Sequence, residues 1–229
     1  MKFKTNLHFH TNDDPHDKGI NYTFLKGIDG AKELGFDILA LTCHKKSINI
    51  EEYEKYAKKN GILLISGVEL NIENCHVLIL NTKKDIEIIK TFSELRKYKK
   101  EHPEIFIIAP HPFFYGNYSL KNELEIDIDL FDAIEHSWFY SKQFNRNKKG
   151  EKIAQKYSLP FIASSDTHDL WGLDKDYAII EMETKNIASV FKAIREKKFE
   201  NITRPKKLWR EMVFRHGMLS IRNLIRRIF

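Results

Sequence analysis

Two histidines separated by one residue stand near the amino terminus, in the stretch Asn6-Leu7-His8-Phe9-His10. The apolar residues around them predict a strand, and alternate side chains of a strand share a face, so both imidazoles point the same way. Two convergent imidazoles at a strand end form half of a metal site. The pair alone also fits two exposed histidines at a strand end, so the interpretation depends on the rest of the chain.

Further imidazoles and carboxylates recur along the chain, mostly where apolar runs end. They are His44, Glu69, His76, His111, Asp166 and His168. This mixture of nitrogen and oxygen donors suits Zn²⁺, Mn²⁺ or Fe²⁺. Together with His8 and His10, the number of candidate ligands exceeds the roughly four to six that a single ion binds. We therefore expect two or three divalent ions bound close together.

Clustered divalent ions predict hydrolysis. They lower the pKa of a bound water, which yields hydroxide at neutral pH, and they screen the charge of a phosphoester and of its leaving oxygen. The expected nucleophile is a metal-bridging hydroxide at a dinuclear or trinuclear site. The chain has no Gly-x-Ser-x-Gly motif, no P-loop and no Gly-x-Gly-x-x-Gly motif, which disfavours serine hydrolases and nucleotide-binding folds.

The elements that would position these residues are continuously apolar runs that alternate with helical patterns. Clear examples are 38–41 within the predicted strand 36–42, and the runs 62–65, 105–109 and 161–163. Strands that are apolar on both faces are typical of a parallel sheet covered by helices, whose functional groups gather at the carboxyl ends of the strands. We predict an α/β fold, a (β/α) barrel of about seven strands or a close variant. His76 opens its strand and would lie at the wrong end of such a barrel.

Length and composition set further bounds. The chain has 229 residues, of which 42% are hydrophobic, enough for one domain with a tail. It has no apolar run of about 18 residues, so we expect no transmembrane helix, and residues 1–8 lack the apolar stretch that is typical of a secretory signal. Cys43 and Cys75 are too few for a disulfide framework, which favours the cytoplasm, although one bridge between them is an alternative.

The positive charge is concentrated at the carboxyl end. Residues 204–229 carry a net charge of +7, whereas residues 1–203 sum to −1. We predict a catalytic domain over 1–203 and a basic amphipathic helical tail over 204–229. The apolar face of the tail either packs on the domain or lies on an anionic membrane surface, or its charges contact a nucleic-acid backbone. No nucleic-acid motif favours the last alternative.

Five segments resemble, in order, the successive motifs of the PHP (polymerase and histidinol phosphatase) family. They are His8-Phe9-His10-Thr11, Ala40-Leu41-Thr42-Cys43-His44, Gly67-Val68-Glu69, Ala109-Pro110-His111-Pro112 and Ser164-Ser165-Asp166-Thr167-His168. The resemblance covers about residues 3–200. It implies a distorted (β/α)7 TIM-like barrel with a trinuclear metal site at the strand carboxyl ends. It also implies phosphoester hydrolysis, as in histidinol phosphatases, nucleotide phosphatases, 5′–3′ exonucleases and polymerase-associated domains.

The resemblance assigns ligand roles to eight positions, namely His8, His10, His44, Glu69, His76, His111, Asp166 and His168. Glu69 matches the glutamate expected to bridge two ions, and we expect Glu69 and Asp166 to take part in catalysis. A ninth ligand is expected from the loop that follows the first strand. Asp17 is our choice, with Asp14 and His16 as alternatives.

Three features depart from the family pattern. Asn6 and Cys43 stand where the family often has an aspartate that orients a ligand imidazole. The loop of the first motif is long and lacks Ser-Asp-Gly. The segment 113–116, which reads Phe-Phe-Tyr-Gly, stands where many nucleotide-cleaving members carry an arginine. This last departure weakens the case for a nucleotide substrate and predicts an aromatic wall.

We therefore expect a cytoplasmic, metal-dependent phosphoesterase whose substrate is a phosphorylated small molecule, a nucleotide or an oligonucleotide. An amidohydrolase is a second interpretation, since amidohydrolases also begin with His-x-His on a barrel strand. Glu69 and the His111-Pro112 motif fit that interpretation less well. A third interpretation is a non-catalytic, metal-bound scaffold that acts through its basic tail.

Overall fold

The computed structural model describes residues 1–48 and 50–207, and it confirms the predicted α/β barrel. Its strands are Lys2–Phe9 (β1), Ile38–Leu41 (β2), Leu63–Ile72 (β3), Cys75–Leu80 (β4), Phe106–Ala109 (β5), Ala133–His136 (β6), Phe161–Ala163 (β7), Tyr177–Glu181 (β8) and Phe199–Ile202 (β9). Most of the predicted helical tail, residues 208–229, lies outside the described residues.

The helices lie between the strands. They are Phe24–Glu33 (α1), Glu51–Lys59 (α2), Phe92–Glu101 (α3), Glu123–Ile126 (α4), Asn147–Lys156 (α5) and Ile187–Arg195 (α6), with short 3₁₀ turns at Lys84–Ile88, Ile128–Leu130 and Leu170–Gly172. The hydroxyl of Thr23 accepts a hydrogen bond from the Lys26 N–H and so caps α1. Among the described residues, none of the helices combines the length and the apolar composition that a bilayer-spanning segment requires.

The sheet is mixed, which corrects the prediction of a parallel sheet. Its strand order is β7-β6-β5-β4-β3-β2-β1-β8-β9. The pairs β1–β2, β2–β3, β5–β6 and β6–β7 are parallel. Strand β4 runs antiparallel to β3 and β5, and β8 runs antiparallel to β1 and β9.

The reversal of β4 has a local cause. Glu73 and Asn74 join β3 to β4 and have positive φ angles of 48° and 67°, the backbone conformation of a tight two-residue hairpin turn. His76 therefore pairs with Asn71 of β3. Because β4 is reversed, its amino end lies beside the carboxyl ends of the parallel strands, which removes the objection to His76 as a site residue.

The side-chain amide of Asn201 and the loop after β7 bring the two edges of the sheet together. Asn201 of β9 donates to the Phe161 carbonyl at 2.7 Å and accepts from the Ala163 N–H at 2.8 Å, so it substitutes for strand pairing with β7. Further along, the Thr167 carbonyl accepts from the backbone N–H of His10, directly after β1, and the Thr167 N–H donates to the carbonyl of His8 in β1. The last of the predicted metal-binding motifs is thereby fixed next to the first.

Phe9 anchors β1 between the two histidines. Its ring is fully buried and packs in an apolar cluster with Ile28 of α1. A β-carbon at Gly27 of the same helix would lie only 2.5 Å from the Phe9 Cζ atom. The absence of a side chain at position 27 is therefore what allows α1 to pack on the strand that carries the histidines.

We expect Gly27→Ala to lower the free energy of unfolding by about 1–3 kcal/mol, because a buried methyl group would displace the Phe9 ring. Gly30→Ala is the matched control on the same helix, since its β-carbon would meet Leu170 at an ordinary 3.6 Å. That variant should gain up to about 1 kcal/mol of helix propensity. Urea unfolding of both variants checks this, and equal shifts in the same direction would contradict it.

Candidate metal centre

The structure brings the nine predicted ligand residues together at one end of the barrel. Ring nitrogens of five histidines lie within 3.5 Å of the two Glu69 carboxylate oxygens, namely His8, His10, His44, His76 and His111. The Asp166 Oδ1 atom lies 3.1 Å from His168 Nε2 and 3.4 Å from the Nε2 atoms of His8 and His10. Glu69 and Asp166 are thus the two anionic centres of one imidazole cluster.

Carboxylates behind the cluster hold the outward-facing nitrogens of the rings. His8 Nδ1 lies 2.9 Å from Glu135 Oε1, and His168 Nδ1 lies 2.6 Å from Asp17 Oδ2. Asp14 Oδ2 stands behind a further two rings of the cluster. An ionised carboxylate can only accept, so each of these Nδ1 atoms carries the proton. The Nε2 atom of each ring is then the one directed at the cluster.

The donor set fits divalent metal ions. Within the described part of the chain, four buried ring nitrogens of the cluster lack a well-aligned hydrogen bond, namely His8 Nε2, His10 Nε2, His76 Nδ1 and His111 Nδ1. The first three nevertheless lie 2.8–3.5 Å from an oxygen of Glu69 or Asp166. Burying such atoms unpaired is costly. Three groups bring their donor atoms within 4.8 Å of one another, namely His8-His10-Asp166, His10-Asp14-His44 and His44-Glu69-His76. The identity and number of the ions stay predictions.

Two of the predicted ligands have an unusual backbone. His111 and Asp166 have positive φ angles of 29° and 45°, a region that costs free energy for residues other than glycine. Each follows the carboxyl end of a short parallel strand, β5 or β7. Strain of this kind persists where the surroundings require it and clusters at functional sites, so it is consistent with the assigned roles.

Glu135 is a site residue that the sequence reasoning missed. It is buried, it accepts from His8, and its other oxygen accepts from the His111 N–H at 2.7 Å. Its neighbour His136 ends the same strand, β6. Successive side chains of β6 point to opposite faces, so Glu135 enters the site while His136 packs against Tyr140 and Phe161. The signal available in the sequence was an acid directly after the apolar residues Ala133 and Ile134.

The long loop after β1 contributes through two aspartates. Both oxygens of Asp17 are engaged, one with His168 Nδ1 and the other with the Gly19 N–H at 2.8 Å. The geometry therefore shows Asp17 positioning a ring, and direct metal binding by Asp17 stays a prediction. Asp14 is fully buried behind the cluster, whereas the side chain of His16 is exposed.

The two positions that depart from the family pattern do not orient imidazoles. Asn6 accepts from the His8 backbone N–H at 3.1 Å and donates to the Ser165 hydroxyl. The Cys43 thiol is buried and lies 3.8 Å from the Thr11 hydroxyl, and burial raises its pKa to about 12. Cys43 and Cys75 are both free. The orienting acids of this site therefore come from other positions.

The charges of the cluster depend on one another. Burial by itself lowers the pKa of the His44 and His168 imidazoles. The carboxylates of Glu69 and Asp14 outweigh burial and raise the pKa of His44 to about 10. Hydrogen bonds to Asp166 and Asp17 raise that of His168 to about 9. Burial alone would raise the pKa of Glu69 and of Asp166, but the surrounding imidazoles hold both well below the usual range.

A cavity of about 310 Å³ opens onto the cluster. Its walls beyond the predicted ligands include four aromatic side chains and two cations, namely Phe114, Tyr118, Trp138, Trp171, Lys175 and Lys206. The Trp138 Nε1–H donates to Asp166 Oδ2 at 3.4 Å. Lys206 is buried and pairs with the buried Asp176. The site thus combines an anionic and imidazole floor with an aromatic wall.

Comparisons with known proteins agree with this description. The sequence model of the PHP-associated family matches residues 144–199. No curated protein sequence matches the chain. The fold resembles a two-domain protein from Bacteroides vulgatus that contains a predicted PHP-like metal-dependent phosphoesterase. The TM-score is 0.69 and the identity 16%, over 89% of this chain and 65% of that one.

Two further solved structures are similar. One is PfuEndoQ, a lesion-specific endonuclease from Pyrococcus furiosus, with a TM-score of 0.65 and 18% identity over 86% of this chain and 56% of that one. The other is an amidohydrolase from Chromobacterium violaceum, with a TM-score of 0.53 and 16% identity over 91% and 95%. The chain spans less than two-thirds of the first two proteins. Together the matches confirm the predicted PHP-type barrel and the resemblance to the PHP family.

We expect Mn²⁺ binding at pH 7 to release protons. The raised pKa values of His44 and His168 keep both rings protonated at Nε2 in the metal-free protein, and a metal ion must displace those protons. Affinity should therefore rise, and proton release should fall, as the pH increases from 7 to 10. Calorimetry in buffers of different ionisation enthalpy measures the released protons.

The control is His136→Gln, because burial lowers the pKa of His136 to about 4 and its ring is already neutral at pH 7. This variant should release as many protons as the wild type. A binding enthalpy that does not depend on the buffer at pH 7 would contradict the prediction.

Proposed function

We propose that this chain, which has the fold and the ordered motifs of the PHP domain family, is a metal-dependent hydrolase of phosphoesters. The observation that carries the proposal is the convergence of imidazole nitrogens on Glu69 and Asp166 at the floor of a cavity. This donor set suits two or three divalent ions, with Mn²⁺, Zn²⁺ and Fe²⁺ as the candidates. Glu69, between five histidines, is the residue best placed to join two ions.

When bound, such ions would supply Lewis acidity and a water of lowered pKa, and the chain supplies the rest. The neighbouring imidazoles keep Glu69 and Asp166 ionised, as metal-binding carboxylates must be. The Trp138 indole N–H holds the Asp166 oxygen that faces away from His168. The aromatic wall gives one side of the cavity an apolar lining, and an apolar lining strengthens electrostatic interactions with a bound anion.

The cavity supports a small phosphomonoester as substrate. Its volume of about 310 Å³ lies at the lower end of the range for small-molecule sites. Lys175 and Lys206 are the cationic side chains of its lining, whereas Arg146 stacks on Tyr115. The similarity to a lesion-specific endonuclease keeps a nucleotide or an oligonucleotide as the alternative substrate.

Two other proposals follow from particular observations. An amidohydrolase is the second candidate function, because one structural neighbour of nearly equal length bears that name. Contact of the tail 204–229 with an anionic membrane surface or with nucleic acid stays a prediction, since most of that segment lies outside the described residues. Near the start of the tail, the Arg204 backbone N–H and the Lys206 ammonium both donate hydrogen bonds to the Asp176 carboxylate beside the cavity.

The test is phosphate release by the purified protein loaded with Mn²⁺. The panel contains aryl and alkyl phosphomonoesters, nucleoside bisphosphates and short 5′-phosphorylated oligonucleotides, with a chelator control. We expect turnover that the chelator abolishes. Asp166→Ala and His10→Ala should each lose at least about 100-fold in kcat/KM, because each removes a donor of the cluster.

His102→Gln is the matched control, since His102 lies outside the cluster on the loop after α3 and packs on Tyr98. It should keep full activity. Wild-type activity and metal content in both Asp166→Ala and His10→Ala would refute the proposal. Release of ammonia from amide or cyclic-imine substrates, without phosphate release from any ester, would favour the amidohydrolase.

A further inference from the structure

We infer that Asp14 is a positioning residue that couples two metal-binding histidines, His10 directly after β1 and His44 after β2, through a single carboxylate oxygen. The inference rests on the proposed function, because it concerns the same centre. It adds a residue that lies behind the donor set, on a loop between the first strand and the first helix.

The geometry at this oxygen is specific. Asp14 Oδ2 lies 2.9 Å from His10 Nδ1 and 2.7 Å from His44 Nδ1, and it also accepts from the His44 backbone N–H at 2.8 Å. Three donors from the segments that follow β1 and β2 therefore converge on one atom of a fully buried side chain. The two rings stack with their centroids 4.5 Å apart, so a change in the orientation of one ring affects the other.

The second oxygen of Asp14 organises the loop. Asp14 Oδ1 accepts from the backbone N–H of His16 at 2.8 Å and of Asp17 at 3.1 Å. This fold of the loop brings Asp17 to His168 Nδ1. Asp14 thus orients two rings directly and a third ring through the loop, whereas Glu135, as far as residues 1–48 and 50–207 show, accepts from the ring of His8 alone.

The distances favour positioning over direct metal binding. Separations of 2.7–2.9 Å between Nδ1 and a carboxylate oxygen are those of charge-assisted hydrogen bonds. The third donor to this oxygen is a backbone N–H, which cannot bind a metal ion. The Nε2 atoms of His10 and His44 lie on the other side of the rings and face Glu69 at 3.5 Å and 3.0 Å. The ring nitrogens that remain for a metal are those opposite Asp14.

Asp14→Asn tests the inference because the amide is uncharged and has a single acceptor oxygen for its several donors. We expect Mn²⁺ affinity to fall about 10–100-fold, as for other residues that orient metal ligands, with the same number of ions bound at saturating metal. Asp13→Asn is the matched control, since Asp13 contacts Thr11 and Tyr53 instead of an imidazole. Asp13→Asn should bind Mn²⁺ like the wild type.

The decisive readout is histidine-ring ¹⁵N–¹H NMR of the metal-free protein, which needs no substrate. In Asp14→Asn the Nδ1–H signals of His10 and His44 should move or exchange with solvent, while that of His8, held by Glu135, stays in place. A variant that merely loosens the fold would move all of them. Asp14→Glu, which restores the charge, should recover part of the affinity and provides a second test if Asp14→Asn is unstable.

Unchanged His10 and His44 signals together with wild-type affinity in Asp14→Asn would overturn the inference. Loss of one bound ion at saturating Mn²⁺ would also overturn it, by showing that Asp14 binds metal directly. Neither readout depends on phosphate release. If the protein hydrolyses no phosphoester, the proposed function is refuted. The Nδ1–H signals of His10 and His44 would still test the role of Asp14.

Discussion

The buried hydrogen bonds between imidazoles and carboxylates are the constraint on which this site depends. Taking a carboxylate out of water costs several kcal/mol unless charges and hydrogen bonds compensate. Glu69 and Asp166 are compensated by imidazoles on one side, and the same imidazoles are held from behind by Asp14, Asp17 and Glu135. The outer carboxylates fix which ring nitrogen carries the proton, and thereby which one faces the centre.

The barrel makes these hydrogen bonds possible because it brings several strand ends to the same end of the barrel. The four parallel pairs place the ends of β1, β2, β5 and β7 there without further adjustment. The β3–β4 hairpin adds His76 from a reversed strand, and the pairing of Thr167 with β1 adds Asp166 and His168. The donors of this centre therefore come from many segments, which meet because the two edges of the sheet are held together.

The loop after β1 explains how the site tolerates departures from the family pattern. Asn6 and Cys43 do not accept from an imidazole, yet neither His10 nor His44 is left without an orienting acid. A carboxylate can reach a ring from any backbone position that brings it within hydrogen-bonding distance. The longer loop reaches behind the rings, and the buried Asp14 at its start supplies the charge.

Much of the site was predictable because its chemistry is local in sequence. The alternation of strands requires His8 and His10 to share a face, and acids and imidazoles at the ends of apolar runs identify Glu69 and Asp166. The order of the motifs was enough to indicate the barrel and its resemblance to the PHP family. These features depend on periodicity and residue type, which can be read directly from the sequence.

Only the tertiary structure decided the direction of β4 and the carboxylates behind the rings. A two-residue turn at 73–74 reverses a strand without changing its apolar pattern, so His76 seemed misplaced until the pairing was known. Glu135 contacts His8, which is 127 residues away in the chain. Asp14 contacts His10, four residues away, and His44, 30 residues away. The sequence by itself determined which groups could do the chemistry. The tertiary structure decided which carboxylate faces which ring, because hydrogen bonds form between groups that are neighbours in space.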